Sequence, residues 1–78
     1  MKIEIVTPDT TIYEGEVSLV QLPGLDGSFE IMNNHAPMIA ALKKGNVKVI
    51  NDKKPTLFFD VKGGIAEILK NRILILAE

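Results

Sequence analysis

The sequence predicts an all-β fold, an antiparallel sandwich or barrel of short strands, and three observations carry that expectation. Apolar and polar residues alternate at period two through most of the apolar stretches, the spacing that puts one set of side chains on one face of a strand. Turn-forming residues recur about every 8 to 12 positions, the rhythm of short strands joined by tight connections. No stretch carries three helical turns of apolar i, i+3, i+4 spacing behind a capping residue.

Taken in order, "KIEIV" places Ile3 and Ile5 on one face and Lys2 and Glu4 on the other. "TPDTT" turns around Pro8, and "EVSL" then alternates Val17 and Leu19 with Glu16 and Ser18. Along "VSLVQL" the apolar set slips from Val17 and Leu19 to Val20 and Leu22, as a β-bulge or a strand crossing between sheets would make it do. "LPGLDGS" supplies a turn through Pro23, Gly24, Asp26 and Gly27, and "NNHA" supplies another whose exit Pro37 holds extended. Beyond it "PMIAAL" is an apolar run on the far side of a polar turn, an arrangement that offers an interaction edge. "NVKVIN" alternates again after the Gly45 turn, and "NDKKP" forms a polar loop. "TLFFDV" and "RILILAE" are apolar more continuously, so they are expected between two covered faces or against a partner. Gly63-Gly64 and "KNR" bracket "IAEIL" between them.

At 78 residues the chain is expected to form a single domain spanning 1–78. A core this small leaves much of the working stability to be supplied by a partner. The formal net charge of −1 gives no field that would draw in nucleic acid or an anionic membrane. Lys43-Lys44 and Lys53-Lys54 read as solvated loop lysines. "MKIEIVTPDT" has no apolar signal-peptide region and no run reaches a membrane-spanning length, so the chain is expected to stay where it is made, with no direct membrane insertion.

With no cysteine and one histidine, thiol nucleophiles, disulfides and multi-histidine metal sites are excluded. A Ser-His-Asp set can be written from Ser18 or Ser28 with His35 and any aspartate, but neither serine lies in a G-x-S-x-G turn. The acidic residues are scattered without a calcium-loop pattern, and Gly24, Gly27, Gly63 and Gly64 lack the helix start of a phosphate cradle. No catalytic, metal or cofactor site is expected. His35 reads as a loop histidine bonded to backbone, in a segment shaped for docking.

The order "TIYEGEV", "GLDGSFEIMNNHAPMIAAL", "KKGNV", then "GGIAEI" running into "ILILAE" closely resembles the N-terminal β-sandwich of the ATP synthase epsilon subunit over nearly the whole chain. The resemblance implies a flattened antiparallel β-sandwich of about ten short strands and a non-catalytic rotor component. It implies binding to the gamma subunit and to the c-ring of the membrane sector, so that ring and central stalk turn together and proton flow is coupled to ATP synthesis. It also implies a peripheral position on the cytoplasmic face of the bacterial plasma membrane. The turn of Asp26, Gly27 and Ser28 matches the family's ring-facing loop, and His35, Ala36, Pro37 and Met38 match a His-Ala-Pro segment near gamma and the ring. Ser28 stands where an acidic residue is frequent, Glu30 where glycine is common, and Asn33-Asn34 where Pro-Gly or Pro-Asn is frequent. Longer members continue past "LAE" into an inhibitory helical hairpin, so this sequence is expected to act without that arm. A free-standing sandwich that binds a peptide or glycan, and a small hydrolase using His35, are the competing readings.

Overall fold

Alternation at period two becomes strand in "KIEIV" and "NVKVIN", whereas "EVSL" falls across the break between two strands. The computed structural model describes Met1–Glu78 and contains nine strands and no helix. They are β1 (Lys2–Val6), β2 (Thr11–Glu16), β3 (Leu19–Gly24), β4 (Gly27–Met32), β5 (Met38–Leu42), β6 (Gly45–Asn51), β7 (Lys54–Val61), β8 (Gly64–Leu69) and β9 (Arg72–Ala77). Two of these, β2 and β4, lie in stretches whose apolar alternation is weak, and both are exposed along most of their length. Their pairing comes from neighbours: β2 lies antiparallel on β1 and β4 antiparallel on β3.

The strands follow one path, β2-β1-β9-β8-β5-β3-β6-β7, with β4 on the other edge of β3. The path curls over on itself at a single residue pairing, Gly24 with Leu42, which joins β3 to β5. Lys43 N–H donates to the Pro23 carbonyl at 2.8 Å and Leu25 N–H to the Ala41 carbonyl at 3.1 Å, securing that corner. One layer is therefore β2-β1-β9-β8-β5 and the other β4-β3-β6-β7. Between them lies one cluster of 16 buried apolar residues, with Ile3, Ile5, Ile73 and Ile75 from the first layer and Val20, Leu22, Val47 and Val49 from the second. Each fully buried isoleucine contributes about 1.5–3 kcal/mol.

Of the two readings of the slip along "VSLVQL", the crossing between sheets holds: β2 ends at Glu16, and Val17 and Ser18 carry the chain across to β3 in the other layer, so "EVSL" is not one strand. Val17 stays buried at the crossing, with its N–H donating to the Met1 carbonyl. The sandwich is not antiparallel throughout, because β1 and β9 pair in parallel. A parallel pair needs a long connection, and here almost the whole chain separates its two strands. Finally, β7 and β9 are covered on one face only, leaving Phe58 60% and Leu76 50% exposed. With just two layers, nothing in the chain remains to cover the other face.

The connections fit the backbone they require. Lys70 and Asn71, between β8 and β9, both take the left-handed conformation, with φ of 52° and 59°, as a two-residue hairpin of the primed type demands. Gly64 has φ 141°, and a Cβ there would collide with the Leu76 carbonyl of β9.

Candidate docking surface

Asp26, Gly27 and Ser28 fall on the β3–β4 hairpin. Leu25 and Asp26 form its loop between the paired Gly24 and Gly27, so Asp26 alone of the three is a turn residue, and Gly27 and Ser28 open β4. Gly24 is held close beneath Phe29: an added Cβ would lie 2.8 Å from the ring. Gly27, at φ 129°, faces open space instead.

The loop from Asn33 to Pro37 leaves the far end of β4. Asn34 adopts φ 62°, and its N–H donates to Asn71 Oδ1 at 2.8 Å. Asn33 Oδ1 accepts from the Met1 amine at 2.7 Å. The two asparagines thus tie the loop to the β8–β9 turn and to the start of the chain. His35 N–H donates to the Met32 carbonyl at 3.3 Å, while Nδ1 lies 2.7 Å from the Ala36 carbonyl oxygen. Its side chain is exposed. No carboxylate or hydroxyl meets it.

These positions decide against the triad. Ser28 lies at the start of β4 and His35 turns back on Met32 at its far end, a separation of about 13 Å for four residues at about 3.3 Å each. Ser18 donates to the Ile50 carbonyl at 3.1 Å and to Asp52 Oδ1 at 3.3 Å, and His35 Nδ1 is engaged by the Ala36 carbonyl instead of by either. No three His, Asp or Glu side chains converge as a metal-ligand group.

A groove of about 540 Å³ is lined by Gly24–Phe29 and Met38–Ala41. It brings Asp26, Gly27, Ser28 and Met38 together, while His35, Ala36 and Pro37 lie outside its lining. The sequence reading had singled out neither Leu25 nor Ile39, yet these keep 62% and 72% of their surface exposed at the groove. The signal was present in "PMIAAL", which is apolar at both parities and so must show apolar side chains on both faces of β5.

Outward from the same corner runs an apolar row. Register places Ala41 of β5 opposite Ile65 of β8, Ile65 opposite Leu76 of β9, and Leu76 beside Val6 of β1. Ile65 is 48% and Leu76 50% exposed, on a face that no other part of the chain covers. Below it the face turns charged: Lys2, Glu4, Glu67, Lys70 and Arg72 surround a shallow cleft of about 290 Å³, and Lys2 pairs with Glu14 at 3.4 Å. An apolar strip bordered by mixed charge is the composition of a protein-binding surface.

Comparison with known proteins agrees with this fold. The family model described as ATP synthase, Delta/Epsilon chain, beta-sandwich domain matches residues 1–78. The ATP synthase epsilon chain of Chlorobium limicola is 44% identical over 77 residues, covering 99% of this chain and 88% of the relative. That of Caulobacter vibrioides is 38% identical over 78 residues, covering 100% and 90%. Among solved structures, a chain of the Euglena gracilis mitochondrial ATP synthase OSCP/F1/c-ring assembly superposes with a TM-score of 0.88 at 16% identity. That match covers 96% of this chain and 48% of the other, so the chain spans about half of that subunit, and the likeness is one of fold.

Proposed function

We infer the function from one premise: the chain belongs to the ATP synthase delta/epsilon-chain family, whose β-sandwich domain it matches from residue 1 to 78. It is an epsilon-type component of the central stalk, a rotor subunit that links gamma to the c-ring and supports the coupling of proton flow to ATP synthesis. The observation that carries this reading is the near end-to-end match with the Chlorobium limicola epsilon chain, 99% of one and 88% of the other. Its role in the complex is mechanical and non-catalytic: Ser28 and His35 stand at opposite ends of β4, and Ser18 bonds Ile50 and Asp52 rather than His35.

Transmitting torque requires a body that does not shear. Two layers sharing a core of 16 buried apolar residues provide that stiffness. The uncovered row of Ala41, Ile65, Leu76 and Val6 provides a side on which gamma docks, and the charged rim fixes its register. The Asp26, Gly27, Ser28 turn faces the c-ring, and the His35, Ala36, Pro37, Met38 segment lies near gamma and the ring.

The protein is a peripheral part of a membrane complex, and no helix of the chain is long and apolar enough to cross a membrane. We place it on the cytoplasmic face of the bacterial plasma membrane, a placement supported by the bacterial sources of the relatives above. The test is direct: mixed with purified gamma at micromolar concentration, the chain comigrates in size-exclusion chromatography. Separate elution at that concentration, where a working interface holds about 8 kcal/mol, overturns the rotor reading in favour of a free-standing binding module.

A further inference from the structure

The strand path ends at β7, whose outer edge pairs with nothing. In antiparallel ladders the backbone groups of successive residues point alternately to one neighbour and the other. Ser18 N–H donates to the Ile50 carbonyl at 2.8 Å, so Ile50 turns its backbone groups toward β3 and Val49 beside it turns its own toward β7. Val49 with Leu57 is then a bonded pair, and so is Val47 with Phe59. Between them Phe58 turns its N–H and C=O to the open edge, and Thr56 and Asp60 on either side do the same. Pro55, which has no N–H, sits at the register shift beside the β6–β7 turn, where a bond is lost in any case.

Charge and proline usually guard such an edge, and Lys54, Pro55 and Asp60 stand at the ends of this one. Its middle has the reverse character. Leu57 and Phe58 are both exposed, and Lys48 Nζ lies 5.9 Å from the centre of the Phe58 ring. Lys54 and Asp60 are exposed too, and the chain's ion pairs, Met1 with Glu16 and Lys2 with Glu14, use neither.

The order of these residues is self-complementary. Laid antiparallel on a second β7 about a two-fold axis through Leu57, Lys54 falls opposite Asp60 of the second copy, and Asp60 opposite its Lys54. Thr56 falls opposite Phe58, both with backbone groups turned to the seam, and Leu57 meets Leu57. Asp52 and Lys62, just past the strand, continue the match. Moving the axis by one residue to Thr56 sets Asp52 against Asp60, and moving it to Phe58 sets Lys54 against Lys62. Like charges directly opposite each other destabilise a strand pair, so one register is favoured over its neighbours.

We propose that β7 is a self-recognition edge, along which two copies of the chain join antiparallel in the register centred on Leu57. Each Thr56–Phe58 pair exchanges backbone bonds across the seam, and a Lys54–Asp60 pair closes each end. The seam runs about 23 Å, seven residues at about 3.3 Å each, which suits a weak and reversible contact. β7 belongs to the layer opposite β8 and β9, so pairing leaves the outer face of Ile65 and Leu76 open. The inference concerns the free chain and does not rest on the rotor reading.

Sedimentation equilibrium of the full chain between about 10 μM and about 1 mM tests it, with monomer expected at the low end and dimer at the high end. Lys54→Asp and Asp60→Lys each set like charges together at both ends of the seam, and each is expected to weaken dimerisation about tenfold or more. The double variant Lys54→Asp/Asp60→Lys reverses both signs and is expected to recover the original affinity to within about threefold. Hydrogen exchange at the Thr56 and Phe58 amides is expected to slow as concentration rises, while the β2 edge amides stay unchanged; this reading needs no substitution. A chain that stays monomeric at the highest concentration overturns the proposal. So does a dimer that the single variants leave intact, that the double variant fails to recover, or that forms without protecting Thr56 and Phe58.

Discussion

On β8 and β9 the inward residues Ala66, Ile68, Ile73 and Ile75 keep no more than 2% of their surface, whereas the outward Ile65 and Leu76 of the same strands keep 48% and 50%. Chemically the two sets are alike. What separates them is the pleat, which sends alternate residues to opposite faces, and the number of layers, which lets only one face meet a partner within the chain. The inner set stabilises the fold; the outer set leaves apolar area that only another molecule can cover. Covering the exposed half of each outer side chain is worth about 1 kcal/mol before the costs of association.

The comparison is broken most forcefully from the inside. Ile75→Ala opens a cavity at a position with 0% exposure, and a loss of about 2–5 kcal/mol is expected in urea denaturation. A loss below about 1 kcal/mol would mean the two layers are not packed as described. Gly64→Ala comes next, because φ 141° and the Leu76 carbonyl together oppose a side chain. About 2–3 kcal/mol is expected. Gly27→Ala shares the strained φ but meets nothing within 4 Å, so about 1 kcal/mol suffices there. The difference between the two glycines, read from paired denaturation curves, checks that the β9 contact rather than the dihedral sets the larger cost.

How much of this was legible in the sequence differs element by element. β1 and β6 announced themselves through Ile3/Ile5 and Val47/Val49, where local alternation and final burial coincide, while β8 was marked by its bracketing turns and β9 by a continuous apolar run in which only Ile73 and Ile75 of its four middle residues are buried. β2 and β4 did not, because "TIYEGE" and "GSFEIM" bury only one residue between them, Ile31, and are held by ladder bonds to strands that sequence spacing cannot locate. The parallel β1–β9 pair joins the two ends of the chain and leaves no local trace. At the site, the shape of the Asp26 turn could be read from its glycines. That it shares a groove with Met38 could not, since their meeting depends on the corner at Gly24 and Leu42.

On the outside, smaller effects of a different kind are expected. Ile65→Thr combined with Leu76→Thr puts a β-branched, strand-favouring residue at both exposed positions. Stability is expected to fall by less than about 1 kcal/mol per site. Gamma affinity, measured by titration calorimetry, is expected to fall about tenfold or more, equivalent to about 1.4 kcal/mol. An unchanged affinity would show that this apolar row is not the docked side. A collapse in stability would show that the outer face contributes to the fold as the inner one does.

The smallest effect belongs to His35. Its N–H and ring are bonded to neighbouring carbonyls, Met32 and Ala36, and the loop is anchored separately through Asn33 and Asn34. Removing the imidazole therefore leaves both anchors in place, and His35→Ala is expected to change stability by less than about 0.5 kcal/mol. Gamma and ring binding are expected to weaken less than about fivefold, under 1 kcal/mol. A hundredfold loss would make the imidazole an anchor of the interface in its own right. Because the loop is tied to the Asn71 end of β8 and β9 while Ile65 and Leu76 pair at their other end, the Ile65→Thr/Leu76→Thr pair and His35→Ala are expected to affect binding independently, their free-energy changes adding when combined in one chain.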